Sequence, residues 1–490
     1  MRGNRGNDRG SRPGGPSGGK PGGKPKRPFG GRPGGRTGGK AKPGGLRQPG
    51  GDWRAAPRAS QEPPPAPLTS PQPRVSLGAR LDGVELAEVR VEKLVAGGEG
   101  LARIDGVPIF IPRSAPGDLL RVRIVEHRAD YGRAEILDIL EPGPARRPDP
   151  YPELSRTGIA DLQHLRDDMQ ALLKAEAVRE TLEHLGGVKL PSPPATELVT
   201  GAPWGYRLRT QLHTDIDPVA GGVRVGYYAR GTNDLVPLSR CPLLVPELDA
   251  MLPTLPELLG AEPPHRLDLT AGAAGDFDAV SIEPAFPGLP HGDVSLTVGD
   301  ISYLYNARCF FQGHRGLLPR LVEIVVGPWE GETAFDLYAG VGLFTLPLAR
   351  RYRHVLAAEG DSTSTRYGRL NARRNHLSNI DFDTRAVESW ISVLPADADR
   401  VVVDPPRAGL PLPVRRVLVE KRPRRLTYVS CHPATLARDL RRLTSIYDIE
   451  KVYLVDLFPQ TGHMETVVQM VRREGAEARE KSRIGGTEKP

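Results

Sequence analysis

Ala334-Phe-Asp-Leu-Tyr-Ala-Gly-Val-Gly342 leads an apolar run directly into two glycines two positions apart, and the rest of the chain is best read outward from it. Three further apolar runs follow: His354-Val-Leu-Ala-Ala358, Arg400-Val-Val-Val-Asp404 and Arg425-Leu-Thr-Tyr-Val429. Stretches with helical spacing separate them. That alternation predicts an α/β fold with a doubly wound parallel sheet. Lys451-Val-Tyr-Leu-Val-Asp-Leu457 and Glu465-Thr-Val-Val-Gln-Met-Val471 come last with only a short link between them, so this pair is expected as an antiparallel hairpin.

In such a sheet the carboxyl ends of the strands share one rim, where ligands bind. Gly340, Glu359, Asp404 and Cys431 all fall there. The Gly-x-Gly turn has Thr345 where a dinucleotide fingerprint carries its third glycine, which argues against a pyrophosphate cofactor. S-adenosylmethionine has no phosphate and tolerates the looser turn. Glu359 is placed to accept hydrogen bonds from ribose hydroxyls, and Asp404 to hold the cofactor's amino group beside its sulfonium. The rigid Pro405-Pro406 that follows would present a substrate base. Arg407 in place of tyrosine argues against methylation of an exocyclic amine.

Cys431 is one of three cysteines, and His432-Pro433 and a helical segment follow it, with Leu436, Leu440 and Leu443 on one face. A lone cysteine at a strand end is more often an inert small hydrophobe. Here its neighbours on the rim favour chemistry, and the adjacent helix N-terminus is expected to draw the thiol's pKa from about 8.5 toward neutrality. Methylating C5 of a uracil requires a nucleophile to add first at C6, a task for which a thiolate is suited. Glu465, in Gly462-His-Met-Glu465, is the candidate base for the C5 proton, with a pKa raised by burial.

Upstream, Ala87–Leu94, Pro108–Pro112, Leu119–Val125 and Ala134–Leu140 read as short strands with turns between them, a small antiparallel β-barrel of a nucleic-acid-binding kind. Residues 143–300 read as a mixed α+β region opening on a helix around Leu162–Leu185. Arg207, Arg209 and Gln211 alternate along one of its strands, by default a solvated face. The first sixty residues hold fifteen Lys/Arg, two Asp/Glu and repeated glycines, a local net charge of +13 against +8 for the whole chain. Residues 61–490 are therefore at −5, and the basic excess belongs to the tail. Too few apolar side chains are present there to offset the entropy of ordering it, so residues 1–80 are expected to be a disordered polycation that attracts phosphate backbones. No apolar run of about 18 residues occurs, and three cysteines make no paired framework. A cytoplasmic protein without a membrane anchor is expected.

Phe310-Phe-Gln312, Asp336-Leu-Tyr-Ala-Gly-Val-Gly342, Asp404-Pro-Pro-Arg-Ala-Gly409, Ser430-Cys-His-Pro-Ala-Thr-Leu436 and Phe458-Pro-Gln-Thr-Gly-His-Met-Glu465 together resemble the motifs of the S-adenosylmethionine-dependent RNA (uracil-5-)-methyltransferases. The resemblance implies a TRAM-like barrel over 84–142 and a central domain over 143–300. A class I methyltransferase domain over 301–473 and a flexible end over 474–490 complete the chain. It implies Cys431 as nucleophile and Glu465 as proton acceptor, with Gln312, Tyr338, Glu359 and Asp404 contacting the cofactor. Many members hold a [4Fe–4S] cluster through four cysteines. Three of those places are Tyr151, Thr157 and Ala160 here, leaving Cys241, so no cluster and no other metal is expected. His432 stands where members often have asparagine, and Leu343 where a polar residue is frequent. Cys309 is expected to be a core residue. The implied enzyme is a monomer acting on structured RNA, with ribosomal RNA ahead of transfer RNA. An amine or cytosine methyltransferase and a non-catalytic RNA-binding protein are the rival readings.

Overall fold

The computed structural model describes residues 85–191, 196–273, 275 and 277–474. The expected basic tail, its Pro-rich linker and the end beyond 474 lie outside the described residues. Alternating apolar positions build six strands first: β1 (Leu86–Arg90), β2 (Lys93–Leu94), β3 (Gly100–Ile104), β4 (Val107–Ile111), β5 (Leu119–His127) and β6 (Gly132–Glu141). They form one sheet in the order β1-β5-β6-β4-β3-β2. Its two ends are consecutive in the chain, with Val91 and Glu92 alone between them. The sheet therefore curls around Val89, Ala102, Val107, Ile109, Leu120 and Val122. One seam departs from the expected antiparallel pattern, because β4 and β6 pair parallel at Ile109–Gly132 and Phe110–Arg133. β3 is absent from the expected strands because Gly100 reads as a turn residue. It is a glycine because a Cβ there would lie 2.0 Å from Ser114 Oγ.

The helix expected from Leu162 begins five residues later, as α1 (Asp167–Glu180). Leu162–Arg166 instead bonds outward, the Leu162 amide donating to the Gln460 carbonyl at 2.8 Å. A short strand, β7 (Glu197–Val199), precedes a five-stranded sheet of β8 (Arg209–Ile216), β9 (Val223–Tyr228), β10 (Leu235–Pro237), β11 (Arg266–Ala271) and β12 (Val280–Glu283). Its order is β10-β9-β8-β11-β12. A hairpin of β13 (Val294–Val298) and β14 (Ile301–Tyr305) then leads to α2 (Leu318–Val326).

The large sheet comprises β15 (Gly331–Leu337), β16 (Tyr352–Ala358), β17 (Ile380–Asp383), β18 (Arg400–Val403), β19 (Arg425–Ser430), β20 (Tyr447–Val455) and β21 (Glu465–Arg472). Its order is β17-β16-β15-β18-β19-β21-β20-β7. Neighbours from β17 to β19 pair parallel, and β21 runs antiparallel to both β19 and β20. The β20–β21 hairpin is the one expected. β7, borrowed from well upstream, pairs parallel with β20 and extends the edge. Alternate residues serve opposite cores: Val401 and Val403 pack on one face with α4 (Leu412–Lys421) and α5 (Pro433–Leu443), and Val402 packs on the other with α2. Tyr367 of α3 (Ser362–Arg374) joins that second core. Helices on both faces make the sheet doubly wound.

Candidate active site

β15, β16, β18 and β19 end at Leu337, Ala358, Val403 and Ser430, so Tyr338, Glu359, Asp404 and Cys431 emerge side by side on one rim. The turn after β15 folds back on its neighbour, the Tyr338 and Ala339 amides donating to the Ala358 carbonyl at 2.9 and 3.2 Å. Tyr338 holds a φ of +70°, an uncommon conformation for a residue with a side chain and one that clusters at functional sites. Gly342, at φ +95°, has no room for a Cβ, which would lie 2.4 Å from Leu346 Cδ1. At Gly340 a Cβ would meet nothing within 4 Å, so the backbone there faces open space.

That space continues into a narrow cleft walled by Phe310, Phe311, Gln312, Tyr338, Gly340 and Asp404. Gln312 Nε2 donates to Asp404 Oδ2 at 3.3 Å. Burial, with Asp336 nearby, raises the Asp404 carboxyl to about 7. Asp336 lies under the turn, accepts from the Thr345 hydroxyl at 2.5 Å, and is itself raised by burial to about 7. Glu359 is not among the residues lining the cleft. Its carboxylate stands next to the open backbone of Gly340, accepting from the Gly340 amide at 2.9 Å and the Asp361 amide at 2.7 Å. Aromatic walls, an open glycine and acids within reach suit a nucleoside attached to a cationic amino acid, and so fit S-adenosylmethionine.

Cys431 and Glu465 meet through strand register. β19 and β21 pair down to Ser430–Thr466, so Cys431 leaves β19 beside the start of β21, where Glu465 pairs with Val455 of β20. Glu465 is 3% exposed and its Oε1 has no hydrogen-bond partner. Burial, then the charge of Asp404, raises its pKa well above the usual carboxylate range. Cys431 is half-buried, and its thiol is pushed up to about 11 by burial, then by Glu465 and Asp404, with Arg407 opposing. This corrects the expected depression: burial, and after it two carboxylates, outweigh one helix N-terminus. Alkylation of the ligand-free protein by iodoacetamide should therefore be slow at neutral pH and accelerate up to about pH 11. Peptide mapping at Cys431 across that range would show it, and a plateau already reached at pH 8 would contradict it.

The helix after Cys431 fixes the diproline loop. Leu410 N and the Tyr428 hydroxyl donate to Asp439 Oδ2 at 2.7 and 2.8 Å, Arg438 Nη2 donates to the Ala408 carbonyl at 2.8 Å, and Thr435 Oγ1 to the Arg407 carbonyl at 3.1 Å. His432 Nδ1 accepts from Thr435 N at 3.3 Å and caps α5, a task asparagine would also perform. Arg407 itself is exposed.

Four polar residues that hold the segment before Glu465 escape a reading of the sequence. Lys174 Nζ donates to Asp456 Oδ1 at 2.7 Å and to the Phe458 carbonyl at 2.9 Å. Gln170 Oε1 accepts from Gln460 N at 2.8 Å, and its Nε2 donates to Gln460 Oε1 at 2.9 Å. The legible signal was an i, i+4 pair, Gln170 and Lys174, on the otherwise apolar buried stripe of α1 with Ala171, Ala177 and Val178.

The places of an iron–sulfur cluster hold different chemistry. Tyr151 packs edge-on against Trp204 at 5.0 Å, the Thr157 hydroxyl donates to the Leu154 carbonyl at 2.7 Å, and Ala160 and Cys241 are buried. Burial raises the Cys241 thiol, and among the described residues no group of three or more His, Cys, Asp or Glu could hold a metal. These residues do not fit a four-iron cluster. Cys309 is a buried core residue, as expected.

A tRNA (Uracil-5-)-methyltransferase family model matches residues 293–473, and a TRAM domain model matches 84–137. The chain is 30% identical over 432 residues to the 23S rRNA (uracil(1939)-C(5))-methyltransferase RlmD of Klebsiella pneumoniae, covering 79% of this chain and 96% of that one. An uncharacterized RNA methyltransferase of Gloeobacter violaceus is 33% identical over 456 residues, 81% and 99% of the two chains. Among solved structures, the Pyrococcus abyssi tRNA (uracil-54, C5)-methyltransferase in complex with S-adenosyl-L-homocysteine superposes with a TM-score of 0.62 at 23% identity, over 79% of this chain and 100% of that one. The fold over that 79% of the chain is thus shared with it. With curated relatives aligned almost end to end, the chain belongs to the TRAM-bearing RNA (uracil-C5)-methyltransferases, enzymes that take their methyl group from S-adenosylmethionine.

Proposed function

We propose that this enzyme methylates C5 of one uridine of 23S ribosomal RNA, as a cytoplasmic monomer, with Cys431 as nucleophile and Glu465 as base. The observation that supports the mechanism is the register of β19 and β21, which closes at Ser430–Thr466 and brings Cys431 near enough to the buried Glu465 for the carboxylate to act on the thiol. The choice of ribosomal RNA is supported by relatives at 30% identity from Klebsiella pneumoniae and Cronobacter sakazakii, both named for uracil 1939 of 23S rRNA. Transfer RNA is the alternative.

The target base is extruded from its stack, since neither sulfur nor cleft is accessible to a paired base. Cys431, as thiolate, bonds to C6, and the electrons of the C5=C6 bond move onto the O4 enolate, making C5 nucleophilic. S-adenosylmethionine, when bound, would supply C5 with an electrophilic methyl group, the methyl–sulfur bond pair returning to its sulfur. Glu465 then takes the C5 proton, the C5=C6 bond re-forms, and the C6–S electrons return to Cys431. Asp404 and Gln312 would hold the cofactor's amino acid end, Tyr338 its aromatic face and Glu359 its ribose. Thiol and base must both begin deprotonated, so the cationic donor beside Asp404 favours the active state.

Mapping 5-methyluridine in ribosomal and transfer RNA from a deletion strain tests the substrate. A missing mark in 23S rRNA is expected, and one missing only from transfer RNA would overturn that choice. Glu465→Gln tests the base: it should lower turnover by about 10²–10⁴-fold while the methylated RNA–protein adduct accumulates on denaturing gels. Rapid adduct release would exclude the role.

A further inference from the structure

The turn Val95–Glu99 of the TRAM domain joins β2 to β3 and closes on itself, Val95 N donating to the Glu99 carbonyl at 2.9 Å. Its outer edge lies backbone to backbone on Gly462, three residues before Glu465. A Cβ on Gly98 would fall 2.7 Å from Gly462 Cα, and a Cβ on Gly462 would fall 2.2 Å from the Gly97 carbonyl oxygen. No side chain fits on either side of this seat. Gly97 differs: it too has positive φ, +101°, but a Cβ there would meet nothing within 4 Å.

The remainder of the same loop is already gripped. Lys174 holds Asp456 and the Phe458 carbonyl, the Tyr206 hydroxyl donates to the Pro459 carbonyl at 2.8 Å, and Gln460 is bonded by Gln170 and by the Leu162 amide. These contacts stop at Gln460. Between there and Glu465 the Thr461 hydroxyl donates to the Phe458 carbonyl at 2.9 Å, His463 packs edge-on against Phe458, Met464 is buried in the core, and the surface against Gly462 is the TRAM turn. The Glu465 backbone is held by its pairing with Val455 in β20, whereas its buried carboxylate has an unpartnered oxygen, so the path of the chain from Gly462 into β21 bears on its aim.

We propose that the TRAM turn is a positioning strut for the base: its glycine-to-glycine seat on Gly462 sets where Glu465 stands, and so governs release of methylated RNA rather than RNA capture or thiol addition. This rests on Glu465 being the base. The nucleic-acid-binding domain then takes part in the last chemical step, through backbone contact alone.

The test uses the full chain, S-adenosylmethionine and 23S rRNA labelled with [5-³H]uridine from a deletion strain. Tritium release reads proton loss from C5, and denaturing gels read the covalent adduct. Gly98→Ala and Gly462→Ala should each slow tritium release at least about tenfold and accumulate methylated adduct, with the rate of adduct formation and the Kd for rRNA changed less than about threefold. Gly97→Ala, strained but free of the clash, should release tritium at close to the native rate. Leu162→Val is a milder variant in case either alanine prevents folding, since Leu162 Cδ2 lies 3.2 Å from the Gly98 Cβ position. It should slow release several-fold with the same adduct signature. Parallel losses in adduct formation and tritium release, or equal effects of Gly97→Ala and Gly98→Ala, would overturn the strut. Native release by the alanine variants beside a blocked Glu465→Gln would overturn the strut alone. Native release by Glu465→Gln would overturn the base assignment and the strut with it.

Discussion

Cys431→Ala is expected to lower methyl transfer by at least about 10⁴-fold and to abolish the covalent complex with 5-fluorouridine RNA, because no other group at the rim can add to C6. The other two thiols, Cys241 and Cys309, are buried in the core, and burial raises both of them above the ordinary cysteine range. Fluorine at C5 cannot leave as a proton, so a native enzyme would stall as a methylated adduct that survives denaturation. RNA binding by the variant should stay within about threefold of native, since Arg407 and the TRAM domain are untouched, and stability within about 1 kcal/mol for a half-buried side chain. Serine would not rescue the activity, as its hydroxyl is far less acidic than a thiol and the same two carboxylates oppose its ionisation. Turnover within tenfold of native in Cys431→Ala would remove the covalent mechanism. An RNA-binding protein with a vestigial catalytic domain would show no such loss in its role.

The parallel strands and the closing hairpin were legible because each is an uninterrupted apolar run, and runs buried on both faces carry their signal locally. Cys431 and Asp404 were legible as rim residues for the same reason, each coming directly after the end of its strand. The thiol's ionisation was not. Pro433 and a helix stand beside Cys431 in the chain, but the burial that raises the thiol, and the carboxylates that add to it, come from packing and from residues at the end of β18 and the start of β21. Gly100 was misleading in a different way: its glycine answers to Ser114, in the loop after β4, and not to a turn. β7 carries three strand residues, too few for a pattern, and owes its state to the free edge of β20. Gln312 came from resemblance, and its bond to Asp404 supplies the physical reason it was lacking.

Lys174→Ala should be the most destabilising single change in the segment before the base, costing about 3–5 kcal/mol in denaturant unfolding. The ammonium is 0% exposed and its partner Asp456 6%, so removing the lysine strands a carboxylate, and the Phe458 carbonyl loses its donor as well. Burial lowers the Lys174 pKa, and the charge and hydrogen bond of Asp456 oppose that shift. Replacing both groups by apolar side chains of similar volume, Lys174→Met with Asp456→Leu, removes the penalty at its source and should recover most of the loss. A double variant as unstable as Lys174→Ala would show that the carbonyl contact, and not the ion pair, dominates. Recovery of stability should not recover full activity, however. The Asp456–Gln460 stretch would be packed without the directional bonds that fix its path toward Gly462, and Glu465 would inherit that freedom. Native stability with slowed C5 proton loss is therefore the expected signature of the double variant, whereas recovery of both would show that packing alone suffices to aim the base.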